Sequence, residues 1–278
     1  MPEDTAPDGG RTPRTLKLTL SYDGTGFVGW QRQAKGVSIQ GLLEEALSVI
    51  EERPVSITGA GRTDAGVHAL GQTASVRITH PLEPARLRRA LNAMLPPEVR
   101  VLAVDEAPAA FDARRDARTK TYRYSIVNAE IVSPFERRYV WHVPQPLDLE
   151  VMTAAARSVE GRHDFSAFLA AGSEVATTVR TVFASTLREA GDGERLRPPG
   201  ALAGSQDPSP GRLLVYEVTG EGFLRHMVRT IVGTLVEIGS GRRDAHAVEA
   251  ALDARERRAA GPTAPATGLC LVSVSYGP

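Results

Sequence analysis

One cysteine, Cys270, is all that the chain carries. No disulfide can form within it and no zinc site can be built from cysteines, so a reducing, cytoplasmic home is expected. No apolar run approaches the roughly eighteen residues that a membrane helix needs, so no membrane association is expected. Charge of one sign is lacking too, because 33 basic residues balance 33 acidic ones. Net charge therefore announces no nucleic-acid partner, and local clusters must hold any such partner. The first fourteen residues hold Pro, Gly, Asp and Glu without an apolar centre. They form no signal peptide, and 1–14 reads as a disordered tail.

What is present suffices for a sizeable core. At 278 residues, with 42% of them apolar, about two domains are expected. Residues 15–22 alternate strictly, Leu16, Leu18, Leu20 and Tyr22 facing one way, as in a half-buried strand. A Gly-rich connection with Phe27, Trp30, Gln31 and Gln33 follows; it reads as a loop closing the core edge or as a loop facing RNA. Residues 39–51 have helical spacing, with Ser38 as N-cap. Strands are expected at 54–58, 73–79, 99–105 and 120–127. A helix should open at Pro84 and bury Leu87, Leu91 and Met94. This order, strand, helix, strand, strand, helix, strand, with one strand added, is the split βαβ, ferredoxin-like unit of many RNA-binding folds.

The second half repeats the order loosely, without a letter-level repeat. Strands are expected at 138–143, 178–187, 212–219 and 269–276, and helices at 148–160, 223–239 and 244–254. Between two of these strands, 189–211 holds nine Gly or Pro in 23 residues and reads as a flexible excursion. The expected division is thus 15–130 and 131–278.

Chemistry concentrates at Gly59-Ala60-Gly61-Arg62-Thr63-Asp64-Ala65-Gly66-Val67-His68-Ala69. Glycines at 59, 61 and 66 open conformations closed to other residues. Arg62 lies two positions before Asp64, and a nearby cation favours the ionised carboxylate. Such a carboxylate acts as a nucleophile or a base. An Asp in a Gly-rich turn also commonly caps its own backbone, and composition alone favours that reading. No Gly-x-x-x-x-Gly-Lys-[Ser/Thr] pattern supports an NTPase, and no His/Cys cluster supports a metal site.

Positive charge clusters at 111–125. Arg114, Arg115, Arg118, Lys120 and Arg123 exceed Asp112 and Asp116 by three, with Tyr122 and Tyr124 interleaved. Rings beside cations on a strand suit unpaired RNA. The same pattern also suits a solvated edge strand with its tyrosines in the core. Arg86, Arg88 and Arg89 read as the exposed face of a helix. In the segment after Gly222, Arg225 and Arg229 are four apart, hence on one helix face. Arg229 lies amid Met227, Val228, Ile231 and Val232. A cation buried there needs an acid, and Asp64 is an attractive partner.

Several motifs now converge. Tyr22-Asp23-Gly24-Thr25…Phe27…Gly29-Trp30-Gln31-Arg32-Gln33, Gly61 to Ala69, Tyr122-Arg123-Tyr124, and Phe223…His226-Met227-Val228-Arg229…Ile231-Val232-Gly233 together resemble the bacterial tRNA pseudouridine synthase A family. They run in family order from about residue 15 to the closing strand at Leu269 to Val274. The resemblance implies isomerisation of uridine to pseudouridine in the tRNA anticodon stem-loop, at tRNA positions 38, 39 or 40, with no metal and no organic cofactor. It implies that Asp64 is the essential aspartate, that Tyr122 stacks on the target base, and that Arg229 stands beside the aspartate. Arg62 is the loop's other arginine, and Leu269 lines the base pocket. It implies an α+β fold of two ferredoxin-like halves in one extended antiparallel sheet, with helices on one face and a central cleft. It also implies a homodimer holding tRNA across both subunits. The 189–211 excursion and the N-terminal tail depart from the family pattern. The rivals are a noncatalytic tRNA-binding module or RNA chaperone, which would not need Asp64, and an aspartate-dependent hydrolase, which lacks a paired carboxylate.

Overall fold

The alternation at the start of the chain makes β1 (Arg14–Tyr22), whose Leu16, Leu18, Leu20 and Tyr22 are all buried. The computed structural model describes residues 12–173, 175–191 and 211–277. Most of the expected tail and excursion, residues 1–11 and 192–210, lies outside the described residues.

Helix α1 (Ile39–Glu51) begins where the Ser38 hydroxyl accepts the Gly41 N–H at 3.1 Å. It buries Ile39, Leu43, Ala46 and Leu47. Strand β2 (Ile57–Gly59) is shorter and later than 54–58, and β3 (His68–Ile78) starts five residues before the expected 73. Gly71 and Gln72 interrupt the alternation there. Gly71 is needed because a Cβ would lie 2.5 Å from the Val272 carbonyl oxygen of the neighbouring strand.

Helix α2 (Pro84–Met94) buries Leu87 and Leu91, but Met94 is 45% exposed rather than buried. The helix ends there, and Leu95 turns inward in its place. Strands β4 (Val99–Ala107) and β5 (Thr119–Asn128) follow. Of the expected 138–143 strand, only β6 (Trp141–Val143) forms. Helix α3 (Leu149–Arg157) is capped by Asp148 and stops short of 160, because Gly161 at φ +102° turns the chain into β7 (Gly161–Asp164). That polar four-residue strand has no alternation to announce it. Strands β8 (Val179–Glu189) and β9 (Arg212–Gly220) lead to α4 (Met227–Gly239), α5 (Ala247–Ala254) and β10 (Leu269–Ser275).

Among the described residues ten strands form one sheet in the order β4-β1-β3-β10-β5-β9-β8-β7, with β2 beside β3 and β6 beside β5. The α+β class is as expected, but the sheet is mixed rather than antiparallel. β10 pairs antiparallel with β5 and parallel with β3, and β6 runs parallel to β5. The cause is topological. β3 and β5 run in opposite directions, so a strand entering between them must be parallel to one. Among the described residues no helix is long and apolar enough to cross a membrane.

Candidate active site

The Asp64 loop is held from below by hydrogen bonds to its backbone. Ala60 N–H donates to the Thr73 carbonyl at 2.8 Å, Gln72 Nε2 to the Gly61 carbonyl at 2.9 Å, and Trp30 N–H to the Thr63 carbonyl at 3.0 Å. The Thr63 hydroxyl meets the Tyr22 hydroxyl at 2.9 Å. Asp64 to Val67 is a tight turn, closed by Val67 N–H on the Asp64 carbonyl at 3.1 Å, with Gly66 at φ +78°. A type II turn requires that positive φ. It is therefore the main chain of Asp64 that makes the turn. The side chain caps nothing in its own loop, which removes the bland reading.

Instead the carboxylate reaches across the molecule. Asp64 Oδ2 lies 3.0 Å from Arg229 Nη1 and 3.5 Å from His226 Nε2. Oδ1 makes no hydrogen bond among the described residues. Arg229 Nε donates to the Ala264 carbonyl at 2.8 Å, so the guanidinium is gripped at two points. The acid that a buried Arg229 required is thus Asp64. Arg62, the sequence neighbour, is exposed and pairs with nothing among the described residues, so it is not the cation against Asp64. A loop residue two positions away points its side chain elsewhere, whereas α4 delivers one from 165 residues away.

His226 escaped the sequence reading as a site residue. The expected helix at 223–239 begins only at Met227, because His226 sits in the left-handed region at φ +64°. Arg225 accordingly precedes the helix and is exposed, rather than sharing a helical face with Arg229. Burial lowers the His226 pKa, against the pull of Asp64, and Arg229, Arg225 and Arg257 push it lower. The imidazole is neutral at neutral pH.

Tyr122, on β5, is buried, with its ring edge-on to Phe223 at 5.2 Å and 86°. Burial, then the charges of Tyr22 and Asp64, push its phenol far above the ordinary value. It stays protonated, and its hydroxyl makes no hydrogen bond among the described residues. Leu269 is buried at the start of β10, opposite Tyr124. Tyr124 itself is core, fully buried with its hydroxyl donating to the Pro265 carbonyl at 2.8 Å.

The basic stretch divides. Arg114, Arg115 and Arg118 precede the strand, the first two on a turn where Asp112 Oδ1 accepts the N–H groups of Arg114 and Arg115. Alternation along β5 puts Lys120, Tyr122 and Tyr124 on one face and Arg123 on the other, where Glu217 holds it at 3.1 Å. Arg123 therefore does not share the Tyr122 face. His68 is structural. Its Nδ1 accepts the Gly24 N–H at 3.1 Å and its Nε2 donates to the Arg138 carbonyl at 3.0 Å, tying three loops together. Among the described residues no three His, Cys, Asp or Glu side chains cluster as metal ligands would.

The sequence profile of a family described as tRNA pseudouridine synthase matches residues 19–116 and 155–277. The chain belongs to the tRNA pseudouridine synthase family. Similar proteins named tRNA pseudouridine synthase A align over nearly the whole chain. One from Solibacter usitatus (strain Ellin6076) is 46% identical over 266 residues, covering 95% of this chain and 100% of that protein. One from Pelobacter propionicus (strain DSM 2379 / NBRC 103807 / OttBd1) is 42% identical over 263 residues, covering 95% and 100%. A chain of a Cbf5-Nop10-Gar1 complex superposes with a TM-score of 0.34 at 11% identity, covering 92% of this chain and 48% of that one, too little to bear on the fold. In this tRNA pseudouridine synthase family member, Asp64, Arg229 and Leu269 fall inside the matched stretches, and Lys120, Tyr122 and Arg123 between them.

Proposed function

We infer that the protein isomerises uridine to pseudouridine in tRNA, with Asp64 as the catalytic carboxylate. The observation that carries this reading is the Asp64–Arg229 pair, in which a partly open carboxylate, free of its own turn, is fixed from another element. The reaction breaks the N1–C1′ bond, turns the base over and joins C5 to C1′. The C5 proton leaves and N1 gains one, so nothing is oxidised and no co-substrate is consumed. Asp64 serves this by adding covalently or by taking a proton from the sugar, and either role needs a free, positioned oxygen such as Oδ1. Moving the uridine out of its stack costs a few kcal/mol. Stacking on an aromatic ring such as Tyr122 returns about 1–3 kcal/mol, and exposed Arg62 is placed to meet phosphate.

The finer reading follows the family resemblance. The substrate region is the anticodon stem-loop at tRNA positions 38, 39 and 40. The protein is a cytoplasmic homodimer that needs no cofactor. Two split βαβ halves, 15–130 and 131–278, with helices on one face and a cleft between them, complete this reading; in the sheet β5 (Thr119–Asn128) lies with the strands of the second half.

The test is an unmodified tRNA transcript incubated with the purified protein, mapped by carbodiimide modification and primer extension. Wild type should give stops in the anticodon arm. Asp64→Asn should give none while still folding and binding tRNA. Pseudouridine made by Asp64→Asn would overturn the role of Asp64. A tRNA-binding wild type without stops on several tRNAs would leave the noncatalytic module.

A further inference from the structure

Lys120 stands near the start of β5, two residues before Tyr122 and on the same face. Its side chain runs along the Asp64 loop, so that a Cβ at Gly61 would lie 3.6 Å from Lys120 Cε and 3.8 Å from Nζ. The ammonium is partly sunk, yet among the described residues it has no carboxylate partner. Its charged neighbours are Arg114 and Arg180, both cations.

The sheet register places Arg180 there independently. Lys120 is opposite Gly220 on β9, and Gly220 is opposite Val182 on β8. Residues opposed across a ladder share a face, and Arg180, two before Val182, shares it too. Gly220 contributes no side chain between the two cations; a Cβ there would lie 2.8 Å from the Thr181 carbonyl oxygen and 3.2 Å from the edge of the Phe223 ring. The Arg180 guanidinium is steadied by the Thr177 carbonyl at 2.9 Å, without a carboxylate among the described residues. Arg114 is exposed on the turn where Asp112 Oδ1 accepts its N–H at 2.9 Å, and its charge acts on Lys120.

A desolvated cation beside two like charges is costly unless an anion completes the set. Burial, then Arg114 and Arg180, lowers the Lys120 pKa. We propose that Lys120, Arg114 and Arg180 form a seat for one phosphodiester of the tRNA backbone, on the shoulder of the Asp64 loop and next to the nucleotide that enters against Tyr122. The seat rests on the tRNA reading of the site. It assigns Arg180, from β8, to RNA contact, and it sets Lys120 apart from the strand cation Arg123.

The experiment compares wild type with Lys120→Met, which keeps the aliphatic stem over Gly61, and with Lys120→Arg. Each is titrated with an unmodified tRNA transcript over a range of salt, and with transcripts bearing one neutral methylphosphonate at each phosphate around the target uridine. Loss of one phosphate contact should reduce the log–log salt slope of Lys120→Met by about one. One methylphosphonate should weaken wild type but not Lys120→Met, and Lys120→Arg should restore most of the affinity. Unchanged melting would show that the fold is intact.

Unchanged affinity and slope for Lys120→Met, or additive losses at every phosphate, would overturn the seat. If that happens while wild type still makes pseudouridine, the seat alone fails. If wild type makes none but Lys120→Met still loses its unit of slope, the seat stands and the assignment of Asp64 fails.

Discussion

His226 holds its position at a cost. A non-glycine residue at φ +64° gives up on the order of 1 kcal/mol, and the surrounding structure must repay it. What that backbone achieves is placement, with the imidazole Nε2 3.5 Å from Asp64 Oδ2 and the first turn of α4 aimed at the same carboxylate. Because burial, Arg229, Arg225 and Arg257 outweigh Asp64 in lowering the His226 pKa, the folded protein binds this proton less readily than the unfolded chain does. Its contribution to stability is therefore complete above the ordinary His value, near 6.5, and is lost as pH falls through the lowered folded value. Gln at 226 does not titrate. The thermal midpoint of wild type should accordingly fall further between pH 7 and pH 5 than that of His226→Gln. Parallel pH curves for the two proteins would show that His226 is not held neutral.

At the scale of elements, the Asp64 loop is positioned by its neighbour, the Gly-rich connection after β1. Gly29 sits at φ +104°, where a Cβ would lie 2.6 Å from the Thr63 carbonyl oxygen, the atom that accepts the Trp30 N–H. Gly29→Ala meets both strain and a backbone clash and should cost on the order of 2 kcal/mol. It should also lower the single-turnover rate more than tRNA affinity, because it displaces Asp64 and leaves the cationic surface alone. A urea midpoint and rate equal to wild type would disprove this bracing. Regular elements such as β1, α1 and β5 were legible because alternation and helical spacing are local and follow burial. β7 and the early start of β3 were not, since a polar tetrapeptide and a Gly-Gln pair carry no such period. The Asp64–Arg229 pairing was legible from one demand, that a cation on an apolar helix must find an acid. The roles of Arg62, Arg123 and His226 were not, because which face a side chain takes, and where a helix yields to φ +64°, are decided by packing.

Over the whole molecule, the proposed site draws on residues as distant as Asp64, Tyr122, Arg229 and Leu269, and the last strand lies between β3, which follows the Asp64 loop, and β5, which carries Tyr122. β10 pairs with β5 from Leu269 to Ser275 but with β3 only at Cys270 and Leu271. It is thus the seam between the strands before it in the sheet, β4, β1 and β3, and those after it, β5, β9, β8 and β7. Leu271 is fully buried and lies opposite both Ala69 and Tyr122. The two tryptophans report on opposite sides of this seam. Trp30 is buried against Tyr22, and Trp141 meets Tyr124 edge-on. In the full chain, Trp30→Phe and Trp141→Phe should each leave one reporter, and both reporters should lose their native fluorescence at the same urea concentration, as one cooperative unit does. A chain ending at Gly268 leaves the facing edges of β3 and β5 without a partner, and only side-chain contacts such as Asp64–Arg229 and His68–Arg138 then cross the seam. Its two single-tryptophan forms should then unfold at separate midpoints, with no pseudouridine formed. Coincident midpoints at the full-length value would mean that the two strand groups are joined by helix packing and not by β10.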